Sequence, residues 1–187
     1  VGLGKSFLAR AEAKRGRGED AAAESGEARA CFERALQYAP ANALAAGHLG
    51  DAWALLGDQK AASGGDPAGE YGKACAAYER ALAIDPRHAV AASRLGTVYF
   101  MQGEVKRMRG EEASAEYERA RGACERALAA NPRLAEAAVN LGHAWLMLGQ
   151  TKSAPGDDAA TEYGKACAAY EQAAAIDFRS AQFLDKE

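Results

Sequence analysis

The sequence has few prolines, a small net charge and no long apolar run, and each of these limits excludes a class of protein. Only five of the 187 residues are proline and 49% are hydrophobic, which favours a folded chain over a disordered one. No apolar segment approaches the ~20 residues of a membrane-spanning helix, so we predict no membrane insertion. A net charge of −3 is too small to indicate nucleic acid as a partner.

Residues that carry metal or catalytic chemistry are also scarce. The four cysteines include no CxxC pair and the three histidines no HExxH or i, i+4 pair, so we predict no metal site and no cofactor. Gly64-Gly65 lacks the strand and the Lys-Ser/Thr of a phosphate-binding loop and is interpreted as a helix break. No nucleophile and base can be paired, which predicts that the protein is not an enzyme.

The cysteines are interpreted as small buried apolar residues. Disulfide bonds between neighbouring units are the alternative, and their redox state is left open by the sequence. The residues concerned are Cys31, Cys75, Cys124 and Cys167.

The two ends of the sequence differ in charge. Residues 1–17 carry a net charge of +4 and residues 156–187 a net charge of −4. This difference is either chance on a solvated surface or an attraction between the ends of neighbouring molecules. The sequence starts at Val1 without Met and shows no signal peptide, so processing or truncation of the start is expected.

One segment is repeated four times at a fixed spacing. Pro40, Pro86 and Pro132 lie 46 residues apart, and Phe178 lies one further step along. A Leu-Gly pair followed three residues later by an aromatic residue has the same spacing. It occurs at Leu3-Gly4 with Phe7, Leu49-Gly50 with Trp53, Leu95-Gly96 with Tyr99 and Leu141-Gly142 with Trp145. Self-similarity at a fixed period indicates a repeat architecture.

The segments between these landmarks have apolar residues at a spacing near 3.6, which predicts helices throughout and an all-α fold. Each unit is expected to hold two helices, separated by Gly or Pro. The predicted units are about 1–40, 41–86, 87–132 and 133–178, followed by a partial helix in 179–187.

Small residues in register predict where the helices touch. A glycine inside a helix costs about 1 kcal/mol relative to alanine, so a repeated one implies a neighbouring side chain in the space it leaves. The second helices carry large residues at one repeated position, which we expect to fill these spaces. The glycines are Gly4, Gly50, Gly96 and Gly142, and the large residues are Phe32, Tyr78, Cys124 and Tyr170.

This pattern resembles the tetratricopeptide repeat (TPR). The Leu-Gly pair, the aromatic residue, a second glycine (Gly57, Gly103 or Gly149) and the later Ala, Tyr/Phe, Ala-Leu and Pro carry the resemblance over the whole chain. The family's unit has about 34 residues, so each unit here is about twelve residues longer. We expect the extra residues to lengthen both helices and to place the break at the new tip. The resemblance implies a right-handed α-solenoid of antiparallel helix pairs whose first helices line a concave groove.

The resemblance further implies a protein–protein interaction scaffold. The positions that it assigns to the groove are Leu44, Val90, Ser93, Thr97, Phe100, Met101, Val139, His143, Leu146 and Met147. In one hypothesis the protein is a fragment of a larger protein, for example a bacterial signalling protein, and this groove binds a peptide or a partner domain. A regulatory module of this kind is expected in the cytoplasm.

The other hypothesis is head-to-tail self-assembly into an open superhelical filament, which is expected outside the cell or on its surface. The end of the last unit is in phase with the start of the first, the two ends have opposite charge, and neither shows a polar capping unit. The residues predicted to form this contact are Val1, Leu3, Lys5, Arg10, Asp177, Phe178, Phe183 and Leu184.

Overall fold

The computed structural model describes residues 1–152 and 159–184, and from residue 178 onward it describes the backbone alone. The described residues form eight α-helices and no strand, which confirms the predicted all-α fold. None of these helices combines the length and the apolar composition that crossing a bilayer requires. The helices are α1 (Gly2–Gly16), α2 (Ala22–Tyr38), α3 (Ala43–Ala62), α4 (Ala68–Ile84), α5 (Ala89–Met108), α6 (Ser114–Ala130), α7 (Ala135–Thr151) and α8 (Ala160–Leu184).

The helix ends follow the Gly, Pro and Asn residues of the sequence. Asn42 precedes α3, and its Oδ1 accepts a hydrogen bond of 3.0 Å from the amide of Ala45, which is an N-cap. Three glycines lie at the tips between paired helices with φ near +70° to +80°, a conformation that strains other residues. These are Gly18 (71°), Gly64 (79°) and Gly110 (72°).

The two helices of each pair pack together through contacts between a glycine and a large side chain. A Cβ atom built on Gly57 would lie 2.5 Å from Cε1 of Tyr71, and one built on Gly50 would lie 2.6 Å from Cε1 of Tyr78. The contacts run in opposite order along α3 and α4, so the two helices are antiparallel. No side chain fits in either space, and the predicted close approach of the helices is confirmed.

The same contacts recur in the other pairs. The tyrosine that fills the space at the second glycine, such as Tyr71 at Gly57, lies among the extra residues of the unit, so the lengthened helices contact each other along their extra turns as well. In the first helix pair Ala11 and Ser25 stand at these two positions. The remaining contacts are Gly4 with Phe32, Gly96 with Cys124, Gly103 with Tyr117, Gly142 with Tyr170 and Gly149 with Tyr163.

The chain divides into two compact units, Val1–Arg94 and Leu95–Glu187. In the first unit α2 packs against both α1 and α3, and α3 packs against α4. Its core includes Leu8, Phe32 and Leu55. In the second unit α7 packs against both α6 and α8. Stacking of successive helix pairs therefore buries the apolar faces within each unit.

The last helix is longer than predicted. The predicted units end at about residue 178 and place a separate partial helix in 179–187, but α8 continues without a break to Leu184. Phe178 stands where the earlier units have proline. Unlike proline, phenylalanine has a backbone N–H and no pyrrolidine ring, so the helix can continue.

Candidate functional site

An ion pair joins the two helices at the tip of each pair. Lys14, in the last turn of α1, lies 2.7 Å from Glu24 in the first turn of α2. Each residue also suits the helix dipole at its position. Hydrogen bonding to Lys14 lowers the pKa of Glu24. The same pair recurs as Lys60–Glu70 (3.0 Å), Lys106–Glu116 (2.7 Å) and Lys152–Glu162 (2.7 Å).

A second repeated feature ties three consecutive helices together. Trp53 of α3 lies between Arg29 of α2, whose Cζ is 5.1 Å from the ring centroid, and Lys73 of α4, whose Nζ is 4.2 Å away. Both distances fit cation–π contacts. In the second unit Trp145 lies between Arg121 (5.1 Å) and Lys165 (4.2 Å). We name each of these arrangements a cation–Trp sandwich.

Sequence reasoning missed both features. The lysine and glutamate of the tip pair recur at the 46-residue spacing in all four units, and this signal was visible in the sequence. The cations of the two sandwiches likewise stand at the same offsets from Trp53 and from Trp145.

In the first unit, the predicted groove face carries two exposed aliphatic side chains. Leu44 of α3 is 55% exposed and Val90 of α5 is 51% exposed. They flank a cleft of about 30 Å³ at Gly47, whose missing side chain leaves space in front of His88. The cleft is also lined by His48, Asp51, Tyr78, Ala91 and Arg94.

Hydrogen bonds fix the polar residues of this cleft. The Asp51 carboxylate accepts a hydrogen bond of 2.7 Å from the Tyr78 hydroxyl and lies 3.1 Å from Nδ1 of His48. Burial and the nearby Asp51 raise the pKa of Tyr78 well above its usual value, so its hydroxyl remains a donor. No group of three His, Cys, Asp or Glu side chains in the described part of the chain could hold a metal ion.

In the second unit, the structure brings several predicted groove residues together. The ring of Phe100 lies 5.8 Å from that of His143, and Asn140 donates a hydrogen bond of 2.8 Å to Thr97. Met101 is 37% exposed. Val139, Leu146 and Met147 are half-buried. This surface is therefore mostly apolar, with a polar edge at Thr97.

Ser93 is the exception among the predicted groove residues. It is 1% exposed and so cannot contact a partner from the groove. Its position is equivalent to that of Gly47, which is also buried. The assignment of Ser93 to the groove surface was wrong, because this side of the helix is turned into the packed interior.

The four cysteines are free thiols in the described structure. Cys124 is fully buried, and burial raises the pKa of its thiol to about 12, as expected for a structural residue. Cys75 is buried too, but Cys167 is exposed, so the prediction that all four are buried was wrong. Cys31 is partly exposed.

The residues predicted to form end-to-end contacts are exposed where the structure describes them. Val1 is 46% and Leu3 is 62% exposed, and Lys5, Arg10 and Asp177 are exposed as well. The side chains of Phe178, Phe183 and Leu184 lie outside the described residues.

Most of the positive charge of residues 1–17 is paired inside the first unit. Lys14 and Arg10 lie 2.7 and 3.6 Å from Glu24, Arg15 lies 2.6 Å from Asp58, and Arg17 pairs with its neighbour Glu19. The charge available to attract another molecule is therefore smaller than the count from the sequence suggests.

Comparisons with known proteins agree with this architecture. No protein-family model and no curated protein matches the chain. Two solved structures of MamA align with 94% of the chain: the RS-1 ArsTM double mutant (TM-score 0.57, 21% identity, 75% of that chain) and MSR-1 C2 (TM-score 0.56, 15% identity, 95% of that chain). TTC0263, a TPR protein in Thermus thermophilus, aligns over 97% of this chain and 98% of its own, with a TM-score of 0.41 and 18% identity.

Likeness at these identities shows the fold. The chain is an all-α protein of stacked helix pairs. It has the TPR-like fold that its repeated landmarks predicted.

Proposed function

We propose that the protein is a non-enzymatic protein–protein interaction scaffold that assembles head to tail into an open filament. The observation that carries this proposal is a difference in burial between equivalent helix faces. Positions of the repeat that are buried or half-buried on inner helices are exposed on α1 and on α8.

Two sets of equivalent residues show this difference. Leu3 of α1 is 62% exposed, whereas the equivalent Leu49 of α3 packs against the core of the first unit. Ala174 of α8 is exposed, whereas the equivalent Leu36 of α2 is 5% exposed. Another helix pair placed against either face would bury these residues as the repeat does elsewhere.

A second copy of the chain is the partner that matches both faces. In the proposed contact, α8 of one copy packs against α1 of the next copy, as α2 packs against α3 within one chain. Arg10 follows Leu3 by seven residues, so it lies on the same face of α1, and its side chain is 65% exposed. With the exposed Glu171 on α8, it gives the two faces opposite charge. The contact joins different surfaces, so it can repeat from one copy to the next, and it produces an open filament when the rotation between copies does not close a ring.

The assembly state of the purified chain tests this proposal. We expect sedimentation and light scattering to show particles that grow with protein concentration, and electron micrographs to show objects longer than one molecule. Leu3→Glu should abolish this growth without unfolding the protein, since Leu3 is exposed in the single molecule. Leu44→Glu is the matched control, because Leu44 has similar exposure but lies on the groove face. A sharp monomer at high concentration and low salt would overturn the proposal.

A second candidate function is the binding of an extended peptide on the groove face. The exposed Leu44 and Val90 beside the cleft of the first unit favour it. Peptides selected from a displayed random library supply the ligand. Leu44→Glu and Val90→Glu should weaken their binding, whereas Leu3→Glu should not. Equal binding by all three variants would exclude the groove as the site.

A further inference from the structure

The cation–Trp sandwich depends on three consecutive helices. In the first unit the aromatic ring is on α3, the arginine is on the preceding α2 and the lysine is on the following α4. The second unit repeats this with the same two distances, on α6, α7 and α8. The full sandwich therefore occurs twice in the chain, and its three positions can be followed along the 46-residue repeat. At the intermediate set they are Cys75, Tyr99 and Arg119, and Cζ of Arg119 lies 5.7 Å from the Tyr99 ring centroid.

At the proposed joint between copies, the same three positions hold different residues. The aromatic position on α1 is Phe7, and the lysine position on α2 is Glu27. The arginine position on α8 of the neighbouring copy is Cys167. Glu27 and Cys167 are both exposed, and Phe7 is half-buried against the core of its own unit. The joint thus keeps an aromatic ring but has neither of the two cations.

We infer that Phe7, Glu27 and Cys167 set the strength of the joint between copies, and that they make it a weakened form of the α2–α3 interface. This inference rests on the proposed head-to-tail assembly. A carboxylate does not gain from the negative face of an aromatic ring as an ammonium group does, and a thiol supplies no charge. The one cation near Phe7 is Arg10 of the same helix, with Cζ 6.0 Å from the ring centroid.

The consequence is reversible association. The helices inside one chain are held by their covalent connection and by the sandwiches, whereas the joint between copies has only apolar contact and the charges of α1 and α8. Subunits are therefore expected to exchange between assemblies on dilution, while each chain stays folded.

Building the missing sandwich into the joint tests the inference. The variant Phe7→Trp/Glu27→Lys/Cys167→Arg places tryptophan, lysine and arginine at the positions equivalent to Trp53, Lys73 and Arg29. Only the cation–π contact made by Cys167→Arg crosses from one copy to the next, because positions 7 and 27 belong to the same chain. One exposed contact is worth roughly a factor of two to five in affinity, so we expect self-association tighter than in the unsubstituted chain by about that factor. Sedimentation velocity over a concentration series measures it, and circular dichroism confirms that both proteins are folded.

The control variant carries Phe7→Trp/Glu27→Lys/Ala168→Arg. Ala168 is also exposed but follows Cys167 by one position, so its side chain points to a different side of α8. This variant has the same net charge without the second cation of the sandwich, and its association should be weaker than that of the in-register variant.

Three outcomes separate this inference from the proposed function. If the unsubstituted chain associates and the two variants tighten it equally, the inference fails while head-to-tail assembly stands. If the unsubstituted chain is monomeric and only the in-register variant associates, the register is correct but assembly is not the natural function. If all three proteins are monomeric at every concentration, both proposals fail.

Discussion

The ring of Tyr78 occupies the space that the missing side chain of Gly50 leaves, and a Cβ atom built on Gly50 would lie 2.6 Å from Cε1 of that ring. Tyr78 is 1% exposed and donates a hydrogen bond to Asp51, one residue beyond the glycine. The ring cannot move aside without losing this bond. Position 50 therefore favours glycine, although glycine weakens the helix locally.

Gly50→Ala is expected to destabilise the protein by about 2 kcal/mol, because the added methyl group forces α3 and α4 apart. Urea-induced unfolding followed by circular dichroism measures the change. Gly72→Ala is the matched control, since a Cβ atom there meets nothing within 4 Å on the exposed face of α4. It should stabilise the protein by roughly 0.5–1 kcal/mol. Equal effects of the two substitutions would contradict the tight helix contact.

Contacts that need a small residue opposite a large one could be predicted from the sequence. Gly50 recurs at the 46-residue spacing, Tyr78 is matched there by Phe32 and Tyr170, and only close packing explains a glycine kept inside a helix. Such contacts are set by shape, and shape follows directly from residue type. The all-α fold and its antiparallel helix pairs follow from the same pattern.

Contacts between charged side chains were harder to predict. A repeated Lys60 or Glu70 is equally consistent with a solvated surface, and only the coordinates show that the two meet across a tip. The burial of Ser93 depends on how far the helix is rotated about its axis, which the period of the repeat does not determine. α8 continues past residue 178 because phenylalanine replaces the proline of the repeated pattern at this one position.

Glu24 should make the stability of the protein depend on pH on the acid side. Its ordinary pKa of 4.5 is lowered in the folded protein, mainly by the hydrogen bond from Lys14. The folded state therefore binds this proton less readily than the unfolded state. The stabilisation is complete above about pH 4.5 and is lost as the pH falls through the lower, folded pKa. Urea unfolding midpoints measured from neutral to acid pH should show this loss.

Substitution of Glu24 isolates its part of that dependence. Glu24→Gln should lower the midpoint at neutral pH and reduce its further decrease in acid. Glu27→Gln is the control on the same helix, because Glu27 is exposed and has no lysine at 2.7 Å. If both variants keep the full acid dependence, the tip pair does not contribute to stability.

The buried tyrosines should make the protein less stable in alkali. Burial and a hydrogen-bonded carboxylate raise the pKa of Tyr71, Tyr78 and Tyr117 well above the ordinary value of 10.0. These hydroxyls keep their protons in the folded state at a pH where the unfolded chain loses them, so stability falls as the pH rises above about 10. Tyrosinate absorbance of the folded protein should rise near that pH, but the rise should be smaller than ionisation of all seven tyrosines would give.

Unfolding the protein in denaturant provides the reference for this titration. All the tyrosines should then ionise together, and the difference between the two curves counts the protected hydroxyls. Glu104→Gln should also bring the pKa of Tyr117 closer to its ordinary value, because it removes the negative charge 2.7 Å from the hydroxyl. A single titration step of full amplitude in the folded protein would contradict the burial of these side chains.

The two cation–Trp sandwiches should have equal energies, because their geometry is the same. Lys73→Met keeps most of the aliphatic stem over Trp53 but removes the charge 4.2 Å from the ring. In a double-mutant cycle with Trp53→Leu, we expect a coupling of about 0.5–1 kcal/mol. The cycle of Lys165→Met with Trp145→Leu should give the same value, since that distance is also 4.2 Å. Zero coupling in both cycles would show that the cations lie over the rings without stabilising them, and would remove the basis for strengthening the joint between copies.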